Sequence, residues 1–239
     1  MIIAEVGLNH LGSVVLANLY VEQLMATNID AVTFQVREPE YYLKNSHLQL
    51  RKYAKICKKV KASGKKFGIA IADIDMVDYF EEIDVDFYKV IRNDMMNDRL
   101  IERLISTNKK LIISTGTCSE DAIQNFIDKF KNDNITLNHT QLSYDVHDCN
   151  LSAIDTLRSK FNVDISYGSH CNDHKVLYMS LCYTPSDILF YVKGNSGFEY
   201  PDDKHAIALD DVHAIANNLK NLSKAIGSGI KNKMKIKIK

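Results

Sequence analysis

Proline and glycine are scarce: the 239 residues hold three prolines and ten glycines, and nothing reads as a linker before Gly227-Ser228-Gly229. A two-domain chain joined by a flexible hinge is therefore not expected. The five cysteines (Cys57, Cys118, Cys149, Cys171 and Cys182) are an odd number without CxxC spacing. That pattern argues against a disulfide framework or a zinc knuckle and for reduced thiols in the cytosol. Charge of one sign is not in excess either. Thirty basic residues balance thirty acidic ones, so no global field recruits nucleic acid or an anionic membrane. No apolar run approaches the ~18 residues of a membrane span. The opening Met1-Ile2-Ile3-Ala4-Glu5 enters a strand-like segment without the basic and apolar regions of a signal peptide. No internal repeat is visible. These absences describe a soluble, cytoplasmic protein, with no nucleic acid and no membrane as partner.

What is present is alternation. Short apolar, β-rich runs fall at Ile2–Val6, Ala31–Gln35, Lys66–Ile71, Phe87–Ile91, Lys109–Ser114, Ile135–His139, Asp164–Tyr167 and Ile188–Val192. Amphipathic helical patterns separate them, among them Val14–Ala26, Leu48–Ser63, Asp98–Thr107, Glu120–Lys131, Leu151–Lys160, Val176–Cys182 and Asp210–Leu222. Strands joined by helical crossovers pair in parallel, and continuous apolar strands are buried on both faces. Eight such units in a chain near the ~250 residues usual for the fold predict an α/β (β/α)₈ TIM barrel. A doubly wound open sheet is the architectural alternative. Asp98 and Ser119 are placed to cap the helices that follow them, and Ser63-Gly64 to end the second long one. Residues 1–229 are read as the barrel and 230–239, rich in lysine, as a solvated tail.

A parallel barrel builds its site at the C-terminal ends of its strands. Those ends carry Glu5 through His10, Gln35, Lys89, Ser114-Thr115-Gly116, His139-Thr140-Gln141 and Ser169-His170. The same segments carry a family resemblance. Ile2-Ile3-Ala4-Glu5-Val6-Gly7-Leu8-Asn9-His10-Leu11-Gly12-Ser13 resembles the opening of the sialic acid synthases (N-acetylneuraminate synthases). Asp30-Ala31-Val32-Thr33-Phe34-Gln35, Asp86-Phe87-Tyr88-Lys89, Ile112-Ile113-Ser114-Thr115-Gly116, Tyr167-Gly168-Ser169-His170, Lys204-His205-Ala206-Ile207-Ala208-Leu209 and Ala225-Ile226-Gly227-Ser228-Gly229 follow in the family's order. The resemblance implies condensation of phosphoenolpyruvate with the open-chain aldehyde of an N-acetylated amino sugar, giving a nine-carbon 2-keto acid. It also implies a divalent metal, manganese or magnesium, that polarises the aldehyde.

The resemblance makes Glu5 and Lys89 catalytic, as proton acceptor and phosphate-binding lysine; a structural salt bridge between buried strand ends is the plainer reading of both. It makes Asn9, Gln35, Ser114, Thr115, Tyr144 and His205 substrate contacts and His170 a metal ligand. His10 reads more simply as a hydrogen-bonded structural histidine. The chain departs from the family at several of its contacts. Thr33 replaces a second phosphate-gripping lysine, Ile69-Ala70-Ile71 replaces a hydroxyl-bearing strand end, and Gly168 replaces a serine. Gly194 stands where a second metal histidine is expected, and Lys204 where an aspartate is. Arg37, Arg92 and Lys204 are placed to return positive charge, and His174 or His205 to rebuild a metal site. The C-terminal antifreeze-like domain of family members has no counterpart, which implies a separate partner protein in its place, a different acceptor or none; a homodimer is the family's usual state. Beside the synthase stand a catalytically silent barrel that binds a sugar or phosphate or scaffolds a partner, and an aldolase using Lys89 as a Schiff base.

Overall fold

The computed structural model describes residues 1–194 and 197–231; the side chains of Arg92 and Asn93 and residues 232–239 of the expected tail lie outside the described residues. Eight parallel strands pair each with the next, β1 (Ile2–Gly7), β2 (Ala31–Val36), β3 (Lys66–Ile71), β4 (Phe87–Val90), β5 (Lys110–Ser114), β6 (Ile135–His139), β7 (Asp164–Ser169) and β8 (Ile188–Lys193). Closure comes from β8 pairing back on β1, with Ile3 opposite Leu189 and Glu5 opposite Tyr191. The barrel is therefore closed, and the open sheet is excluded. A two-residue β9 (Ile207–Ala208) lies against Val192 and Lys193 just outside the ring.

A helix of six residues or more follows each strand, preceded after β2 by the four-residue Pro39–Tyr42: Val14–Met25, Leu50–Ala62, Val77–Glu82, Asp98–Ile105, Glu120–Lys129, Ala153–Phe161, Lys175–Ser180 and Leu209–Ile226. The third of these was not read from the sequence. At six residues it is too short for the helical period to stand out. Ser119 caps its helix as expected, accepting from the Ala122 N–H. Before Asp98 the cap is one residue earlier than expected: the Asn97 side chain accepts from the Leu100 N–H and Asp98 is the first helical residue. Asn97 wins because the capping oxygen must reach back over the first turn from outside it. Among the described residues no helix is long and apolar enough to cross a membrane.

Strand side chains alternate faces, and that alternation sorts the barrel into two chemistries. Ile2, Ala4, Val6, Val32, Phe34, Phe67, Ile69 and Ile71 join the outer core beneath the helices. A separate inner cluster of Ile3, Ala31, Phe87, Ile112 and Leu189 plugs the lumen. Two residues further along the same strands stand Glu5, Thr33, Lys89, Ser114 and Tyr191. The lumen therefore changes from apolar to polar over one step of the pleat, and the site begins there. Gly68 makes room for the plug. A Cβ built on it would meet three carbons of the Phe87 ring, the most distant at 2.8 Å. Gly68→Ala is therefore expected to cost about 1–3 kcal/mol by overpacking, and Phe87→Leu added to it should recover most of the loss. Equal denaturant midpoints for wild type and Gly68→Ala would contradict this packing.

Candidate active site

The polar end of the lumen opens into a cavity of about 340 Å³, at the lower end of the ~300–1,000 Å³ common for small-molecule sites. Lys89 and Ser114 reach it from β4 and β5, Asn138 from β6, Gly168 and Ser169 from β7, and Tyr191 from β8. Gln35 closes the β2 side, and Thr140, Tyr144, His170, Asp202 and His205 come from the loops beyond the strands.

At the floor the Lys89 ammonium is ion-paired with the Glu5 carboxylate, both side chains at most 5% exposed. Burying two charges is tolerable only with good pairing, and this pair satisfies one carboxylate oxygen only. Glu5 Oε1 and the neighbouring Thr33 Oγ1 are buried without a hydrogen-bond partner among the described residues. The Lys89 Nζ also lies 5.4 Å from the centre of the Tyr191 ring.

One wall is aromatic. The His205 ring stacks with Tyr144 at 5.7 Å between centres, sits 4.5 Å from His170 and meets Tyr191 edge-on at 4.8 Å. Burial, then the charges of Lys89, His174 and Lys193, pull its pKa from 6.5 to about 4, so it is neutral at physiological pH. Its nearest carboxylate oxygen is Oδ1 of Asp202, 3.9 Å from Nε2. His170 is oriented through Nδ1, which lies 2.9 Å from the Thr140 hydroxyl. Among the described residues no three His, Cys, Asp or Glu side chains form a group able to hold a metal. A cation at this wall would therefore rest on two imidazoles, its remaining positions open to water or substrate oxygens.

Of the residues expected to contact substrate, Gln35, Ser114, Tyr144 and His205 line the cavity, as do Lys89 and His170. Asn9 and Thr115 are buried in main-chain hydrogen bonds instead. Asn9 Nδ2 donates to the Val192 carbonyl at 2.8 Å while its Oδ1 accepts from the Asp202 N–H at 3.2 Å. Thr115 donates from both N–H and hydroxyl to the Asn138 carbonyl. Asn9 thus holds the Asp202 loop to the barrel. His10 lies outside the cavity lining and is 1% exposed; its Nδ1 accepts from the Gly12 N–H at 3.0 Å, and its Nε2 has no hydrogen-bond partner among the described residues.

The departures have physical counterparts. Gly168 is required by Asn138, whose Nδ2 would lie 2.6 Å from a Cβ there. The amide occupies the space beside Gly168, its Oδ1 accepting from the Ser166 hydroxyl at 3.0 Å. At Gly194 a Cβ would collide with the Tyr200 hydroxyl, and its N–H donates to the Tyr20 hydroxyl at 2.7 Å. Lys204 leaves the cavity and lies over the Tyr144 ring at 5.2 Å, whereas Asp202, two residues earlier, supplies the carboxylate. Arg37 does not restore charge to the cavity: its guanidinium pairs with Glu38 at 2.7 Å and faces a separate apolar hollow with Tyr42 and His47. Lys89 is accordingly the one Lys or Arg among the described residues of the lining.

Sequence reading passed over Asn138, Tyr191 and Asp202. The first two sit within apolar strands, and their inward parity, two positions beyond a lumen-plug layer, is the signal that marks them. Asp202 was hidden by strict counting across a loop.

Comparison with known proteins places this geometry. The NeuB family profile matches residues 18–231. The chain is 26% identical over 262 aligned positions to N,N'-diacetyllegionaminic acid synthase of Campylobacter jejuni, covering 97% of this chain and 78% of that one. It is 23% identical to pseudaminic acid synthase of the same strain, over 95% of this chain and 75% of the relative. The crystal structure of the N-acetylneuraminic acid synthetase of Leptospira borgpetersenii, in complex with citrate, superposes with a TM-score of 0.90 at 22% identity. That superposition covers 98% of this chain and 87% of the solved one.

Proposed function

Because the chain belongs to the NeuB family, we propose that it condenses phosphoenolpyruvate with the aldehyde of an N-acetylated amino sugar. In that reaction the enol carbon bonds to the aldehyde carbon, water adds at carbon 2, inorganic phosphate leaves, and a nine-carbon 2-keto sugar acid results. The observation that carries the reading is the Lys89–Glu5 pair at the floor of a cavity whose wall is His170, His205, Tyr144 and Tyr191. Lys89 faces the anionic enol phosphate with a charge-assisted donor. Ser114, Asn138 and Gln35 add neutral donors around it, preorganised on rigid strand ends. Glu5, whose second oxygen has no hydrogen-bond partner among the described residues, serves in this reading as the proton acceptor. Tyr144 and His205 offer the flat apolar surface against which a sugar ring packs, with Asp202 in reach of its hydroxyls. A divalent ion at His170 would supply Lewis-acid polarisation of the aldehyde.

The Schiff-base reading loses support, since Lys89 has a carboxylate partner rather than the apolar surroundings that activate a nucleophilic lysine. The silent-barrel reading draws on a specific observation: among the described residues a single Lys or Arg lines the cavity, and Thr33 stands where the family's second lysine is expected. The two differ in a titration. Calorimetry with phosphoenolpyruvate in the presence of manganese is expected to give saturable binding that Ser114→Ala weakens about tenfold, an ordinary loss for a charged-acceptor hydrogen bond. Thr33→Lys, which sets a second ammonium beside Glu5, should tighten it. No heat with wild type or with Thr33→Lys would remove the synthase reading.

A further inference from the structure

We propose that His205, from the loop before β9, is a metal ligand and forms with His170 a two-imidazole site for a first-row divalent cation. The site replaces the one that Gly194 forecloses, and the proposal rests on the barrel being of the synthase type described above.

Four observations converge on it. Both ring nitrogens of His205 are buried and without a hydrogen-bond partner among the described residues, a costly state for a polar group that a ligand would relieve. Its ring centre lies 4.5 Å from that of His170. Two imidazoles bound at right angles to one ion, with metal–nitrogen bonds near 2.1 Å, have ring centres about 4.6 Å apart. One ring is also held from behind: the Thr140 hydroxyl lies 2.9 Å from His170 Nδ1, the kind of outer hydrogen bond that orients a ligating histidine. Finally, position 194 cannot contribute: Tyr200 occupies the space of any side chain there, its Cζ 3.3 Å from a Cβ built on Gly194. The Asp202 carboxylate, 3.9 Å from His205 Nε2, adds a negative charge that favours a cation without completing a three-residue cage.

Two nitrogen donors leave at least two positions of the ion to solvent, which is the open arrangement that a Lewis-acid site requires. Imidazole suits zinc, copper, iron and nickel, while the open positions and the nearby Asp202 suit the oxygen ligands that manganese prefers, so the inference concerns the ligand set and not the choice among them.

The test uses the full chain stripped of metal by a chelator and titrated with manganese chloride alone. Wild type is expected to bind one ion, and pulsed electron paramagnetic resonance of that ion should register two imidazole nitrogens. His205→Gln and His170→Gln should each weaken binding at least tenfold and leave one such nitrogen, with thermal melts confirming that the variants fold. Thr140→Val should weaken binding by about tenfold, within the ~10–100-fold range of outer-shell losses. A wild-type signal from one imidazole, or His205→Gln binding manganese as wild type does, overturns the proposal, as does wild type that binds none. Turnover is read separately. Manganese held by both histidines in a protein inert toward every sugar would retire the synthase reading and leave the metal site standing.

Discussion

Lys89→Ala is expected to abolish turnover, by 10³-fold or more, and to destabilise the fold as well. The lysine is the only ammonium or guanidinium among the described residues of the cavity, so no other described residue can take its place on a phosphate. Losing a single preorganised donor to a developing charge costs on the order of 10²–10³ in rate, and here the donor also carries the charge. Its removal strands the Glu5 carboxylate, which is 0% exposed, and breaking a buried pair from one side costs about 3–5 kcal/mol. Glu5→Gln in the Lys89→Ala background should return much of the stability and none of the activity, because a neutral amide needs no counter-charge. Kinetics and denaturant midpoints of the two variants check both halves. Lys89→Ala with wild-type turnover would remove Lys89 from the chemistry, and equal midpoints would mean that solvent reaches Glu5.

Mild acid should destabilise the protein well before its carboxylates titrate. Burial holds His10 neutral, with its pKa pulled from 6.5 to about 4, and His205 is lowered to about the same value. Between those values an unfolded chain binds a proton at each histidine that the folded chain does not. Stability is therefore full above pH 6.5 and falls as the pH drops towards 4, by on the order of 3 kcal/mol per histidine across the window. Urea midpoints measured from pH 7.5 to 4.5 should show the decline. His10→Asn retains an acceptor for the Gly12 N–H, as Nδ1 does now, and should flatten the slope by close to one proton. An unchanged slope in that variant would mean that His10 is protonated in the fold.

The sequence was most legible where one physical rule governs. Each strand of the ring was located to within two residues because apolar runs flanked by polar ends admit few alternatives, as at Lys66–Ile71 and Ile135–His139, whereas the two-residue β9 is too short to show. The polar floor was legible for the same reason: a charged residue in an apolar strand, Glu5 or Lys89, needs a partner or a ligand. What the linear reading could not supply was convergence. Asn138 and Tyr191 became site residues only when the parity of neighbouring strands was known. Asp202 entered the cavity and Lys204 left it through the path of a loop that no periodicity encodes. Asn9 and Thr115 moved the other way, since strand-end polar groups serve the main chain as readily as a substrate. Gly168 and Gly194 had the look of lost function, yet each is matched by a neighbour, Asn138 or Tyr200, that fills the space.

The most direct test of the synthase reading is phosphate release from phosphoenolpyruvate in the presence of manganese and a panel of N-acetylated amino sugars, with mass spectrometry of the products. The account predicts sugar-dependent phosphate release, stoichiometric with a nine-carbon 2-keto acid and lost in Lys89→Ala. Folded wild-type protein that yields neither phosphate nor keto acid with any sugar of the panel would contradict it.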